Sequence, residues 1–362
     1  MDQEPVLIDL ALQGGGSHGA FTWGVLDRLL EDERIAIEGL SGASAGAINA
    51  AILAHGLTTG GREGAREALA LFWDSVASKA LFSFAPGDLS SPAGSELRPG
   101  AVPALQSLLS ITQVFSPYQF NPLGLDPLRD ILSRQIDFDR LRSECALELF
   151  VSTTQVSTGT LRLFRTRQIT LDVLLASACV PALHRSVRID GEAYWDGGLT
   201  SNPPVLPLVR QCAAPDIVVV VLNPSRSSEA PTDADAIRQR LAEISFGSSL
   251  FAELQGIALA KREAERALLG FGGLHRRLRN LKMHLIDSQA LTGRLSALSK
   301  FNAHPVFVRA LRDEGRKQAD KWLAANFELL GVRSSFSLQR FVHWRSSDRA
   351  RAAAVTPPHE SA

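Results

Sequence analysis

The sequence predicts an α/β protein, with three α/β/α layers around a mostly parallel central sheet. An irregular insertion and a mainly helical C-terminal part are added to it. Three observations carry this prediction. Short apolar runs of strand length alternate along the chain with longer runs of helical period. Two strand-to-helix junctions are glycine turns, Gly14-Gly15-Gly16-Ser17-His18-Gly19 and Gly42-Ala43-Ser44-Ala45-Gly46. Residues 217–222 (IVVVVL) are apolar throughout, which fits a parallel strand covered on both faces.

The elements follow in order. Residues 6–12 read as a buried first strand that runs straight into the first glycine turn. Residues 20–30 carry Phe21, Val25, Leu26, Leu29 and Leu30 at helical spacing. Residues 35–40 are a second strand, and 45–54 are helix formers. Residues 62–79 place Ala65, Leu69, Phe72, Trp73 and Val76 on one helical side. From 82 to 126 Pro, Gly and Ser are frequent and apolar period is lost, apart from one candidate helix at 103–115. This stretch reads as a surface excursion, or as a cap over an apolar groove. A short helix starts at Asp126-Pro127, with proline at a favoured first-turn position. Strands are expected at 147–153 and 160–164, and a helix at 171–178. Asp190-Gly191 between two strand-like segments signals a hairpin whose last strand ends in Asp196-Gly197-Gly198. Helices are expected from 234 to 269, a last strand at 283–286 and a long helix at 305–329. The organisation expected is one domain over 1–340, including the 82–126 insertion and the mainly helical 234–340 part, then a polar, disordered tail at 345–362.

Composition removes several classes of function. Lys plus Arg and Asp plus Glu each number 38, a balance that argues against broad nucleic-acid binding. The three cysteines are scattered, without a metal-ligand spacing or a disulfide framework. No cofactor and no metal are expected. No apolar run approaches the ~18 residues of a membrane span, and the first residues lack the pattern of a secretory leader. A cytoplasmic protein is expected, with membrane contact at most peripheral, on the inner face. Oligomeric state is not readable.

The chemistry centres on Ser44, in the middle of G-x-S-x-G between a strand and a helix. A turn this sharp brings the residues two before and two after the serine together, so both must be small. Serine needs a base. Among eight histidines none has evident acidic support, and His18, within the glycine loop, is the best placed, although packing explains it better. A carboxylate is the other choice, and Asp196 ends a hairpin strand before two glycines. The N–H groups of Gly14, Gly15 and Gly16, joined by that of Ala45, could hold an oxyanion. The first loop also spells G-x-G-x-x-G (Gly14, Gly16, Gly19), with Glu38 near the end of the second strand as an acidic ribose partner. An NAD(P)-dependent oxidoreductase is therefore a rival reading. A protein that keeps the fold for interaction only is another.

Taken together, G-G-G-x-x-G after the first strand, G-x-S-x-G after the second and the later D-G-G resemble the patatin-like phospholipase family. The resemblance runs from Leu7 to about Asn223. Ala176-Ser177-Ala178-Cys179-Val180-Pro181 is similar to the family's segment before the aspartate, and Asn202-Pro203-Pro204 to the one after it. The segment Ser299-Lys300-Phe301-Asn302 is a weaker match. The resemblance implies a serine lipid acyl hydrolase with a catalytic dyad: Ser44 as nucleophile, Asp196 as base, and Gly14, Gly15 and Gly16 as the oxyanion loop. The substrate class implied is the carboxylic ester of a phospholipid, lysophospholipid or related lipid. A basic cluster at Lys261, Arg262, Arg266, Arg276, Arg277, Arg279 and Lys282 reads as a solvated face, with docking to membrane phosphates as the sharper alternative.

Overall fold

A computed structural model describes residues 4–79, 116–120, 126–222, 230–267, 272–292, 295 and 297–338. Most of the expected insertion, including its candidate helix at 103–115, and the tail at 345–362 lie outside these residues.

The chain runs β1 (Val6–Leu12), α1 (Gly19–Glu31), β2 (Ile35–Gly42), α2 (Ala45–Ser78), α3 (Pro117–Phe120), α4 (Pro127–Gln135), α5 (Phe138–Glu144), β3 (Glu148–Gln155), β4 (Leu161–Arg165) and α6 (Leu171–Ser177). It continues with β5 (Val187–Ile189), β6 (Glu192–Asp196), α7 (Leu206–Gln211), β7 (Asp216–Val221), α8 (Ala234–Arg266), α9 (Gly273–Asn280), β8 (Lys282–Asp287), α10 (Gln289–Thr292) and α11 (Pro305–Asn326). The two expected helices at 45–54 and 62–79 are consecutive parts of α2, interrupted where Gly60 and Gly61 leave helical geometry. Helices α5, α7 and α9 were not expected from the sequence. Each spans about two turns or fewer, too short for a periodic signal.

Eight strands form one sheet. β3, β2, β1, β7 and β8 lie side by side and parallel, while β4, β5 and β6 add antiparallel pairs at one end. The apolar run 217–222 is explained by β7. Val218 and Val220 enter the core shared with α1, α2 and α11, and Ile217 and Val219 enter the core shared with α7, α8 and α9. A strand covered on both faces has no polar side to alternate with.

The C-terminal part is not helical alone. Its strand β8 pairs with β7 through all six residues, and α11 packs along α1. On the other face, Arg277 of α9 reaches into the sheet and donates to Asp9 Oδ2 at 3.1 Å. Burial, partly offset by Arg277, pushes the Asp9 carboxyl up to about 8. The unfolded chain releases that proton near ~4, so folding favours the protonated acid, and this group's contribution to stability falls as pH rises from about 4 to about 8. Arg277→Ala removes the offsetting charge. At pH 9, one unit above the Asp9 value of about 8, the variant should lose up to about 1.4 kcal/mol more than at pH 5.5, where Asp9 is protonated with or without Arg277. Denaturant titration at pH 5.5 and pH 9 measures this; an equal loss at both would contradict it.

Candidate active site

Strand β3 positions the site. Gly39–Gly42 of β2 pair with Glu148–Val151, and Thr153–Gln155 pair with Asp196–Tyr194 of β6. Strand β4 overlaps both registers, pairing with Phe150–Thr154. A strand has only two edges, so β2 and β6 share the edge opposite β4, and β6 takes over where β2 stops. The gap is short: Gly42 registers with Val151 and Asp196 with Thr153, roughly 7 Å along the strand. Ser44 leaves β2 at that gap and Asp196 closes it from the other side.

The turn after β2 puts Ser44 at φ 53°, ψ −127°. A non-glycine residue holds positive φ only where its surroundings impose it. Here a Cβ on Gly42 would lie 2.5 Å from the Ala47 nitrogen, and one on Gly46 would overlap the Leu12 carbonyl oxygen. The Ser44 N–H donates to Ser177 Oγ at 2.9 Å, which gives that serine a role.

Asp196 is 1% exposed. Its N–H donates to the Cys179 carbonyl at 2.8 Å, its carbonyl accepts from Thr154 Oγ1 at 2.8 Å, and its Oδ1 accepts the Gly198 N–H at 2.7 Å. Burial raises the carboxyl to about 6, while the Gly198 N–H and the Ser44 hydroxyl favour its charged form. The serine hydroxyl thus faces a nearly dry carboxylate poised just below neutral pH. A base at this position works only when ionised. Ester turnover should therefore climb about tenfold per pH unit below pH 6 and level off above it. A kcat/KM profile on a soluble ester that stays flat between pH 4.5 and 7 would contradict this.

The first glycine loop lies against the elbow. A Cβ on Gly14 would stand 2.7 Å from Ala43 O and 2.8 Å from Ser44 Cβ. The Gly14 N–H, expected among the oxyanion donors, is already committed to Asn202 Oδ1 at 2.7 Å. Gly14 therefore serves by its missing side chain. The N–H groups of Gly15, Gly16 and Ala45 have no hydrogen-bond partner among the described residues. Asn202 is fully buried and braces the site, since its carbonyl accepts from Gln13 Nε2 at 3.2 Å and its Nδ2 donates to Phe246 O at 3.2 Å. The backbone of Lys300 closes on Gly16 from the far side, leaving no room for a Cβ there. Neither brace was assigned a role from sequence. Both were visible only as short stretches of resemblance, Asn202-Pro203-Pro204 and Ser299-Lys300-Phe301-Asn302.

The remaining candidates are placed elsewhere. His18 is buried, its Nε2 is 2.7 Å from Ser299 Oγ, and burial pushes it down to about 3. It packs the glycine loop onto the 297–301 turn. Glu38 lies mid-strand, because β2 runs on to Gly42. Its carboxylate accepts the N–H groups of Ala213, at 2.9 Å, and Ala214, so the proposed ribose partner is spent on a backbone turn. His284 does have acidic support, from Asp216 at 2.9 Å, with Ser335 Oγ at 2.9 Å on the other nitrogen. Asp216 registers with Ile8, near the start of β1, at the opposite end of the sheet from the elbow. There it also accepts the Gly331 N–H and anchors the segment after α11. Among the described residues no cluster of three or more His, Cys, Asp or Glu could hold a metal.

A strand–turn–helix serine at the C-terminal ends of a parallel sheet, facing a buried carboxylate, defines an ester hydrolase of the α/β class. The chain belongs to the patatin-like phospholipase family, whose sequence model matches residues 10–209, and members of that family are lipid ester hydrolases. Among solved structures the chain is similar to VipD from Legionella pneumophila, at 16% identity and a TM-score of 0.41, covering 97% of this chain and 75% of that one. It is also similar to the complex of full-length ExoU and SpcU from the type III secretion system of Pseudomonas aeruginosa. There the identity is 15% and the TM-score 0.28, covering 90% of this chain and 80% of that one. No curated protein sequence matches it.

Proposed function

We propose that this protein hydrolyses the carboxylic ester of a phospholipid or lysophospholipid through an acyl-serine intermediate. The observation that carries the reading is the Ser44 hydroxyl set against the buried Asp196 carboxylate. Ser44 Oγ attacks the ester carbonyl while Asp196 takes its proton. The tetrahedral oxyanion is held by the N–H groups of Gly15, Gly16 and Ala45, each donor contributing about 3–4 kcal/mol to the transition state. Asp196 returns the proton to the leaving alcohol, then takes one from the water that cleaves the acyl-serine. Carboxylic acid leaves and the dyad is restored.

Residues 1–340 act in this reading as one unit, since β8 and α11 complete the same sheet and core. Among the described residues no helix is long and apolar enough to cross a membrane, and lipid is met at a surface.

The test offers the protein phosphatidylcholine, lysophosphatidylcholine and p-nitrophenyl butyrate. The expected result is p-nitrophenol from the soluble ester, with free fatty acid and the matching deacylated product from a lipid. Inertness toward all three would overturn the reading.

A further inference from the structure

Helix α8 is apolar on two sides. One side is buried: Leu250, Leu254 and Ile257 enter the core beneath β7. The opposite side carries Ile237, Leu241, Ile244, Ser248, Phe251, Gln255 and Leu259, then Arg262 and Arg266. Steps of three and four residues keep all nine within one narrow stripe of the helix. The five large apolar members are 39% to 59% exposed. No acidic residue lies on this stripe. From Ile237 to Leu259 it runs about 33 Å. A single exposed leucine needs no explanation, but an aligned apolar row does, because a surface helix ordinarily turns polar residues outward.

The helix that carries the row also borders the site, from its opposite side. There Phe246 lies against Gly198, where a Cβ would stand 2.9 Å from its ring. Gly198 donates to Asp196, and the next residue, Leu199, is 40% exposed. At its far end the row becomes basic. Arg262 and Arg266 share Glu263 at 3.9 and 3.7 Å. Helix α9 is held alongside by Lys261, whose Nζ donates to the carbonyls of Leu278 and Arg279 at 3.2 and 2.9 Å, and it adds the exposed Arg276 and Arg279.

We propose that the outer row of α8 is the surface by which this protein lies on a phospholipid bilayer, its apolar residues in the interface and its arginine end against lipid phosphates. Two features favour a bilayer as the occupant. The helix that carries the row also borders a site whose family acts on lipids, and the row's charge is of one sign and at one end, suited to anionic headgroups. The proposal rests on the lipid-hydrolase reading for its occupant, and its test separates the two.

Full-length protein is mixed with vesicles of phosphatidylcholine alone or with phosphatidylglycerol, and bound protein is measured by sedimentation. Fatty-acid release from the vesicles and turnover of soluble p-nitrophenyl butyrate are followed in parallel. Wild type should bind, more tightly to the anionic vesicles. Leu241→Glu with Ile244→Glu should weaken vesicle binding about tenfold or more per side chain and lower vesicle hydrolysis with it, leaving soluble-ester turnover unchanged. Arg262→Ala with Arg266→Ala should reduce the preference for anionic vesicles and its sensitivity to salt, leaving the part that Arg276 and Arg279 supply. Wild type that turns over the soluble ester but ignores both vesicles would overturn the proposal and leave the hydrolase reading standing. A glutamate variant that binds vesicles like wild type would overturn it as well. So would a stable dimer that the glutamates dissolve, which would assign the row to a second copy. Vesicle binding lost in the variant, in a protein inert toward every ester, would uphold the docking surface and overturn the hydrolase reading.

Discussion

Replacing Ser44 with alanine is expected to lower ester turnover by about 10⁴–10⁶-fold, the scale on which nucleophile removal acts in serine hydrolases. Ser44 holds positive φ because Gly42 and Gly46 close the turn around it, not because of its hydroxyl. Its N–H would still donate to Ser177 Oγ as it does at 2.9 Å. The variant should therefore melt within a few degrees of wild type while losing turnover. Residual activity above about 1% of wild type would mean that another group attacks the ester.

The second large effect is at Asp196. Asparagine keeps the shape and an oxygen for the Gly198 N–H but cannot take a proton. Turnover should fall about 10²–10⁴-fold, and the rise in rate through pH 6 should vanish with it. Stability should move the other way. The folded carboxyl is raised to about 6 by burial from an unfolded value near ~4, so its burial weighs against the fold increasingly as pH rises between those values and fully above them. Asp196→Asn removes that weight, and the variant should be at least as stable as wild type at pH 8. Thermal melts and kcat/KM across pH 4.5–8 check both halves. Near-normal turnover would transfer the base role to another residue.

What the sequence disclosed is local. The elbow, the glycine loop and the Asp190-Gly191 hairpin each place their special residues within a few positions of one another, where steric rules act directly. Asp190 and Gly191 do take positive φ, 51° and 87°, as the hairpin requires. The apolar run of β7 and the helical period of α1 and α11 disclosed the layers for the same reason. Contacts between distant stretches were not legible. Asn202 takes the Gly14 N–H across 188 positions, and Lys300 closes on Gly16 from the C-terminal part. The sharing of one edge of β3 by β2 and β6 depends on register, which no local pattern specifies. Glu38 misled because its strand runs four residues past it, so its carboxylate never reaches the C-terminal ends where a nucleotide would sit. Helix α8 was legible as a helix, but its two apolar sides became distinguishable only once one of them was buried.

The central claim is that Ser44 is the residue acylated and that Asp196 drives its acylation. Reaction with a fluorophosphonate ester, followed by intact-mass measurement and peptide mapping, tests it most directly. The account predicts one adduct per chain, on Ser44, formed far more slowly in Asp196→Asn and absent from Ser44→Ala. An adduct on another residue, or labelling of Ser44 at an unchanged rate in Asp196→Asn, would contradict it.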